Sequence, residues 1–428
     1  MKRASTVSGG ADNRTSAPIS APLAPAASPL VTVPVTIGPL RRMEEGKGGV
    51  MADARIVRIE GGMLTGERPR KAGSNARLGQ HGTTIRLPIV RVTTADGARG
   101  FGRCRASPVE LRGLLGHSLD ELLTPRGIAT PWLADEYPLW DLAGQRTGQP
   151  VYALAARINE QPVPTVLSVP TYDTSLYIDD LHLTDDDEAA ALLAAEAREG
   201  DARGHRAFKL KVGRGARHMP SEAGLRRDIA VIRAVRAAIG PTAPLLLDAN
   251  NGYTLNLAKE LLRATADCTP YWLEEAFHED GILYADLRAW LLAEGLTVLI
   301  ADGEGDASPQ LLNWASEGLI DVVQYDIFAR GFTPWLALGR DLDSWGQRSA
   351  PHHYGAHYGN YVAGHLAAAI AGFTFVEWDE ATTPGLDTSA YALAEGRVTI
   401  PNRPGFGLTL DEAIFRSAVE AGGFELTV

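Results

Sequence analysis

Cysteine is nearly absent: Cys104 and Cys268 are the only two in 428 residues. Two cysteines cannot build a disulfide framework, and neither stands in a metal-type CxxC pair, so a reducing cytoplasm is the expected setting. Also lacking is any uninterrupted apolar run long enough to cross a bilayer. No long basic stripe appears, and 41 Lys plus Arg against 52 Asp plus Glu leave a net charge of −11. Nucleic acid and anionic membranes are therefore poor partners. An acidic chain that takes an anionic ligand needs a local cation, and a divalent metal set among carboxylates would supply one. The 45% hydrophobic and 22% charged content is that of an ordinary globular protein. The length suggests two domains, or one barrel with additions.

Periodicity is missing from the first fifty residues. Thr15 to Leu40 is rich in Pro, Ala and Ser, and Pro22, Pro25, Pro29 and Pro34 interrupt every apolar stretch. Residues 1–50 read as a disordered tail. Met51 opens MADARIVRIEGG, which reads as a natural first strand.

An alternating strand starts at Ala54–Ile59, followed by a loop rich in Gly, Arg and Lys over Gly61–Gly82 and a second strand, TTIRLPIVRVTTADG. Helical patterns follow at Ser107–Leu115 and Trp132–Ala143, which makes a small α+β unit. From Val163 onward eight short apolar runs alternate with amphipathic stretches such as Glu222–Ile239 and Leu257–Ala266. That alternation predicts a parallel (β/α) barrel rather than a doubly wound sheet, since no GxGxxG follows the first run. The expected plan is a capping domain over residues 51–162, completed by 385–428, and a barrel over 163–384.

The last seven runs each end in charged or polar groups: Lys209 and Lys211, then Asp248, Glu274, Glu304, Asp326, His352 and Glu377. In a barrel the strand C-termini converge on one face, so these groups would line one pocket. Three carboxylates at successive strand ends suit a hard, oxygen-seeking cation, with Mg²⁺ ahead of zinc because no Cys or close His pair accompanies them. Lys209 and Lys211 are two apart, so both face the barrel interior. A buried ammonium pair should depress the pKa of each lysine and make one a usable base. Asp326 and His352 are placed to form a carboxylate–imidazole dyad. Tyr172 and Asp173, at the end of the first run, are expected to touch substrate, as is Asn250 after Asp248.

The ordered set KLK, LLLDANNGY, WLEEAF, ADGEG, QYDIFARGF, APHH and FVEWD resembles the mandelate racemase branch of the enolase superfamily. LWDLAGQRTGQPVYAL before the barrel and GRVTIPNRPGFGLTLDEA after it resemble the cap helix and the return into the cap. The resemblance implies a modified TIM-type barrel with an α+β cap and a Mg²⁺ cofactor held by Asp248, Glu274 and Glu304. It implies Lys211 as base on one face of the substrate carbon, with Lys209 near the substrate carboxylate. It places His352, oriented by Asp326, on the opposite face, and has Glu377 hydrogen-bond the carboxylate as it becomes an enediolate. WLEEAF carries Ala276 where the family usually has proline. Glu275 stands beside Glu274, Asp302 shares parity with Glu304, and His353 follows His352.

An α-proton beside a carboxylate is very weakly acidic, and its removal adds a second negative charge. A metal and cationic donors aimed at those oxygens would offset that cost. The expected activity is dehydration of a sugar acid to a 2-keto-3-deoxy acid, a lyase reaction. The alternatives are a racemase or epimerase, a cycloisomerase, and a non-catalytic ligand-binding barrel. A small carboxylate substrate and a homo-oligomer are expected.

Overall fold

The computed structural model describes residues 54–129 and 136–428. The tail expected over residues 1–50 and the start of the helix expected from Trp132 lie outside the described residues. Three antiparallel strands open the described part: β1 (Ile56–Ala72), β2 (Gly82–Thr94) and β3 (Arg99–Arg103). Helices α1 (Glu136–Thr147) and α2 (Val151–Ile158) follow. The chain's last strand comes back to the edge of β1.

β1 corrects the expected loop. Of the glycines that made Gly61–Gly82 read as a loop, Gly61, Gly62 and Gly66 sit inside a long strand for reasons of space. A Cβ on Gly61 would lie 2.3 Å from the ring of Phe424, and one on Gly66 would lie 2.3 Å from the Thr382 carbonyl. Close approach of another chain segment selects glycine here, not conformational freedom. The loop proper is confined to residues 73–81.

All eight apolar runs form strands: β4 (Leu167–Leu176), β5 (Phe208–Lys211), β6 (Leu245–Asp248), β7 (Trp272–Glu274), β8 (Leu299–Asp302), β9 (Val322–Val323), β10 (Arg348–Ser349) and β11 (Val376–Trp378). They pair in parallel and in sequence order. β11 pairs with β4, and a bridge from Ser349 to Phe373 completes the closure. Between the strands run α3 (Asp186–Ala202), α4 (Ser221–Ile239), α5 (Leu255–Ala264), α6 (Gly281–Glu294), α7 (Leu311–Ser316) and α8 (Phe332–Trp345). Their ends carry ordinary signals: Asp185 and Asp280 cap α3 and α6 by accepting backbone N–H bonds. After the barrel, the hairpin β12 (Ala392–Ala394) and β13 (Arg397–Ile400) adds to the barrel sheet, because β13 pairs antiparallel with β4. Helix α9 (Glu412–Glu420) then leads to β14 (Phe424–Thr427), which pairs with β1.

The barrel interior is packed. Tyr172, Ala207, Leu246, Trp272, Ala301, Val322, Ala350 and Phe375, one from each run, form a buried layer. The Tyr172 ring meets Trp272 edge-on with centroids 5.7 Å apart. This apolar floor excludes water from below, so the polar groups one layer up, toward the strand C-termini, share a low-dielectric site.

Candidate active site

Lys209 and Lys211 project from β5 into the barrel, with one residue between them as the pleat requires. Lys209 Nζ lies 2.9 Å from Glu274 Oε1, 3.3 Å from Asp248 Oδ2 and 3.2 Å from Glu377 Oε1. Lys211 Nζ is paired with Asp248. The ammonium pair does not lower the lysine pKa values, contrary to expectation. Desolvation pulls both down, but Glu274 and Glu377 around Lys209, and Asp248 beside Lys211, outweigh it and hold both above the ordinary value. The sequence shows the lysines as neighbours but not how many carboxylates surround each one.

Asp248, Glu274 and Glu304 bring one oxygen each within 4.8 Å of one another. Glu274 Oε2 accepts from Trp272 Nε1 at 3.1 Å and from Gln324 Nε2 at 3.0 Å, which fixes its orientation. Asn250 Nδ2 donates to Glu304 Oε1 at 3.1 Å. Burial and the neighbouring Asp248 push the Glu274 carboxyl up to about 8. Three carboxylates this close, one of them forced toward neutrality, fit a divalent cation: it would take up the charge that water cannot reach, and oxygen-only donors favour Mg²⁺ over zinc.

The competing acids are held by other partners. Glu275 has φ +43°, so its side chain turns to Asn250 and Asn251, which donate to it at 2.8 and 2.9 Å. Burial and Glu304 push it up to about 10. Asp302 is taken by the Tyr284 hydroxyl and by Gly303 N–H. Asn250 and Asn251 also hold positive φ, of 42° and 61°. Non-glycine residues adopt that region under constraint, and backbone bonds from Asn251 N–H to Glu275 O and from Glu275 N–H to Ala301 O hold this stretch.

His352, after β10, sits 2.6 Å by Nδ1 from Asp326 Oδ1 and 3.1 Å by Nε2 from Glu304 Oε2. Gly305 N–H donates to the other Asp326 oxygen at 2.9 Å. Burial opposes charge on His352, but Glu304, Glu377 and Asp326 raise it to about 10. His353 points elsewhere, its ring against Gly359. Lys211, on the second barrel strand, and His352, after the seventh, thus reach the carboxylates from separated sides.

Tyr172 and Asp173 are the residues of β4 expected to touch substrate. Asp173 faces outward from β4: its Oδ1 accepts from Ser175 N–H, and its Oδ2 lies 3.9 Å from Arg203 and close to Gly200 of α3. Tyr172 faces inward but belongs to the floor beneath Lys209, whose Nζ is 5.4 Å from its ring. The sequence reading ended this strand at Tyr172, whereas β4 continues to Leu176 and brings Thr174 to the level of Glu377, to which its hydroxyl donates at 2.8 Å. Asn250 is buried, and its amide holds Glu275 and Glu304.

Thr174 and Gln324 escaped the sequence reading, although Gln324 shares strand parity with Asp326. So did the cover over the lysines: Lys211 Nζ lies 5.4 Å from the Tyr177 ring, which packs against His81 and Tyr354 at 4.9 Å each. Three arginines of the Gly61–Gly82 segment are engaged with acidic side chains. Arg68 binds Asp379, Arg70 binds Glu196, and Arg77 reaches Glu275 and Glu304 at 3.4 and 3.5 Å.

Residues 192–414 match the family described as enolase C-terminal domain-like. A crystal structure of a galacturonate dehydratase variant from Geobacillus sp., complexed with Mg, is 45% identical and covers 90% of this chain and all of its own, with a TM-score of 0.85. The same dehydratase complexed with D-galacturonate and 5-keto-4-deoxy-D-galacturonate is 46% identical, with a TM-score of 0.83 and coverage of 88% of this chain and all of its own. Arabinonate dehydratase of Saccharolobus solfataricus is 26% identical over 68% of this chain and 72% of its own. 3,6-Anhydro-alpha-L-galactonate cycloisomerase of Streptomyces coelicolor is 28% identical over 78% of this chain and 91% of its own.

Proposed function

Because the chain belongs to the enolase C-terminal domain-like family, we propose that it dehydrates a sugar acid in a Mg²⁺-dependent reaction that begins with loss of the proton next to the carboxylate. The observation that carries this reading is the approach of Lys211 and of the His352–Asp326 pair to one carboxylate cluster from separated sides. Asp248, Glu274 and Glu304 would hold the cation, which when bound supplies a positive charge opposite the substrate carboxylate.

Lys211 is the proposed base. While Asp248 holds it, Lys211 is an ammonium; a cation that took Asp248 as a ligand would weaken that hold and favour the neutral amine. Lys209, between Glu274 and Glu377, is placed to meet the substrate carboxylate. His352 carries the proton that the departing β-hydroxyl needs, and Asp326 keeps its ring oriented. The α C–H bond breaks toward Lys211, the β C–O bond breaks as water leaves with the proton from His352, and the resulting enol takes a solvent proton at the former β-carbon and gives up its O–H proton to become the keto-deoxy acid. The likeness to a D-galacturonate dehydratase at 46% identity supports a hexuronate as substrate.

The test is incubation of the purified chain with Mg²⁺ and D-galacturonate, followed by detection of the keto-deoxy product and repeated with a chelator. A product that disappears with the chelator is expected. No keto-deoxy product from D-galacturonate or from a panel of aldonates and aldarates would overturn the reading. The cycloisomerase relative supports a second reading, which would appear as lactone or anhydro-sugar turnover without net loss of water.

A further inference from the structure

One buried carboxylate joins the loop that follows Lys211 to the loop that follows Asp248. Asp228, on α4, is fully buried. Its Oδ2 accepts from Gly213 N–H at 2.9 Å, from Arg214 N–H at 3.2 Å and from the Tyr253 hydroxyl at 2.6 Å. Its Oδ1 accepts from Arg214 Nη1 at 2.6 Å. The Gly213 N–H is shared, since it also donates to the Tyr253 oxygen at 3.0 Å. Arg214 carries the network on to Asp180, which accepts from Nε at 3.1 and 3.0 Å and from Nη2 at 2.6 Å. Arg227 Nη1 lies 3.6 Å from the same carboxylate, and Arg214 Nη1 reaches the Lys211 carbonyl at 3.5 Å. Arg214 and Asp180 are fully buried as well.

Gly213 comes two residues after Lys211, and Tyr253 five after Asp248. Gly213 has φ +85°, and a Cβ there would lie 2.9 Å from the Ala249 carbonyl oxygen, so this turn requires glycine. Between Asp248 and Tyr253 stand the left-handed Asn250 and Asn251, and the Asn250 amide holds Glu275 and Glu304. Tyr253 closes that stretch: its N–H donates to the Ala276 carbonyl at 3.2 Å and its hydroxyl to Asp228. One chain of contacts thus runs from Asp228 through Gly213 to Lys211. Another runs through Tyr253 and Asn250 to Glu304. Buried ion pairs add little net stability, because desolvation offsets their attraction. A fully bonded buried network instead fixes one arrangement of the segments it joins, and no buried nitrogen or oxygen of Asp180, Arg214, Asp228 or Tyr253 lacks a partner.

We propose that Asp228 is a positioning residue shared by the base and the metal ligands. Through Gly213 it sets the backbone that carries Lys211, and through Tyr253 it sets Asn250 and with it Glu304. Its own contacts are with protein groups alone. The proposal rests on the function proposed for this site only for the roles of Lys211 and Glu304.

Hydrogen exchange tests the coupling without metal or substrate. Tyr253→Phe keeps the ring and removes one bond to a buried carboxylate. Amide exchange should then rise about 10-fold or more in both segments, 212–216 and 249–253. A rise confined to 249–253 would overturn the coupling. Calorimetric titration tests the consequence. At a temperature well below its Tm, Tyr253→Phe should bind Mg²⁺ about 10-fold more weakly than wild type, and Asp228→Asn at least as weakly. A merely structural network would lower Tm and leave Mg²⁺ affinity within about twofold of wild type, and that result would sink the proposal. A wild type that takes up no Mg²⁺ would overturn the proposed function instead, and the exchange result alone would then decide the Asp228 coupling.

Discussion

Arg68 grips Asp379 through two parallel hydrogen bonds, Nε to Oδ1 at 2.9 Å and Nη2 to Oδ2 at 2.7 Å, and so ties β1 to the residue just past the end of β11. The guanidinium also lies 4.6 Å from the ring of Tyr354. Both partners are buried, with side-chain exposures of 8% and 2%. Breaking one side of such a pair leaves a charge without water or partner, at a cost of about 3–5 kcal/mol. Arg68→Ala should therefore lower Tm markedly, while a double replacement of Arg68 and Asp379 by Leu should recover much of the loss. Equal losses in the single and double variants, by thermal denaturation, would show that the pair is not coupled.

Metal affinity should distinguish the carboxylates. Glu274→Gln should nearly abolish Mg²⁺ binding in a calorimetric titration, while Glu275→Gln should leave it close to wild type, because Glu275 faces Asn250 and Asn251. Gln324 orients Glu274 by donating to its Oε2, so Gln324→Ala should weaken binding by about 10- to 100-fold. Strong loss in Glu275→Gln with none in Glu274→Gln would reverse the assignment.

His365 gives a stability prediction with a definite sign. Its Nδ1 accepts from Tyr152 N–H at 2.9 Å and its Nε2 pairs with the Tyr391 hydroxyl at 2.9 Å. Burial lowers it to about 3. The folded value is below the ordinary 6.5, so the unfolded chain binds more protons between them. Stability from neutral His365 is therefore complete above pH 6.5 and is lost as pH falls toward 3. In His365→Phe, denaturant unfolding should show a stability deficit at pH 7 that shrinks as the pH is lowered to 5. A deficit that grows on acidification would contradict this.

Much of the barrel was legible because each inward-facing strand ends in chemistry. Asp248, Glu274 and Asp326 all close runs of buried apolar residues, and strand parity places Lys209 and Lys211 together. Three things were not legible. Gly61 and Gly66 look the same in sequence whether they serve a loop or a close approach, and only the position of Phe424 and Thr382 decides. The length of β4 decides between Tyr172 and Thr174, and the PTYDTS segment has no break to mark its end. The lysine pKa values depend on how many carboxylates converge on each ammonium, which is a sum over four strands.

The central claim is tested most directly by ¹H NMR in D₂O, with D-galacturonate and Mg²⁺, on wild type, His352→Asn and Lys211→Ala. The account predicts a keto-deoxy product from the wild type, deuterated at the carbon that lost its hydroxyl. His352→Asn should exchange the proton next to the carboxylate without making product, because Lys211 and the carboxylate cluster are intact. Lys211→Ala should do neither. Exchange that continues in Lys211→Ala and vanishes in His352→Asn would contradict the account.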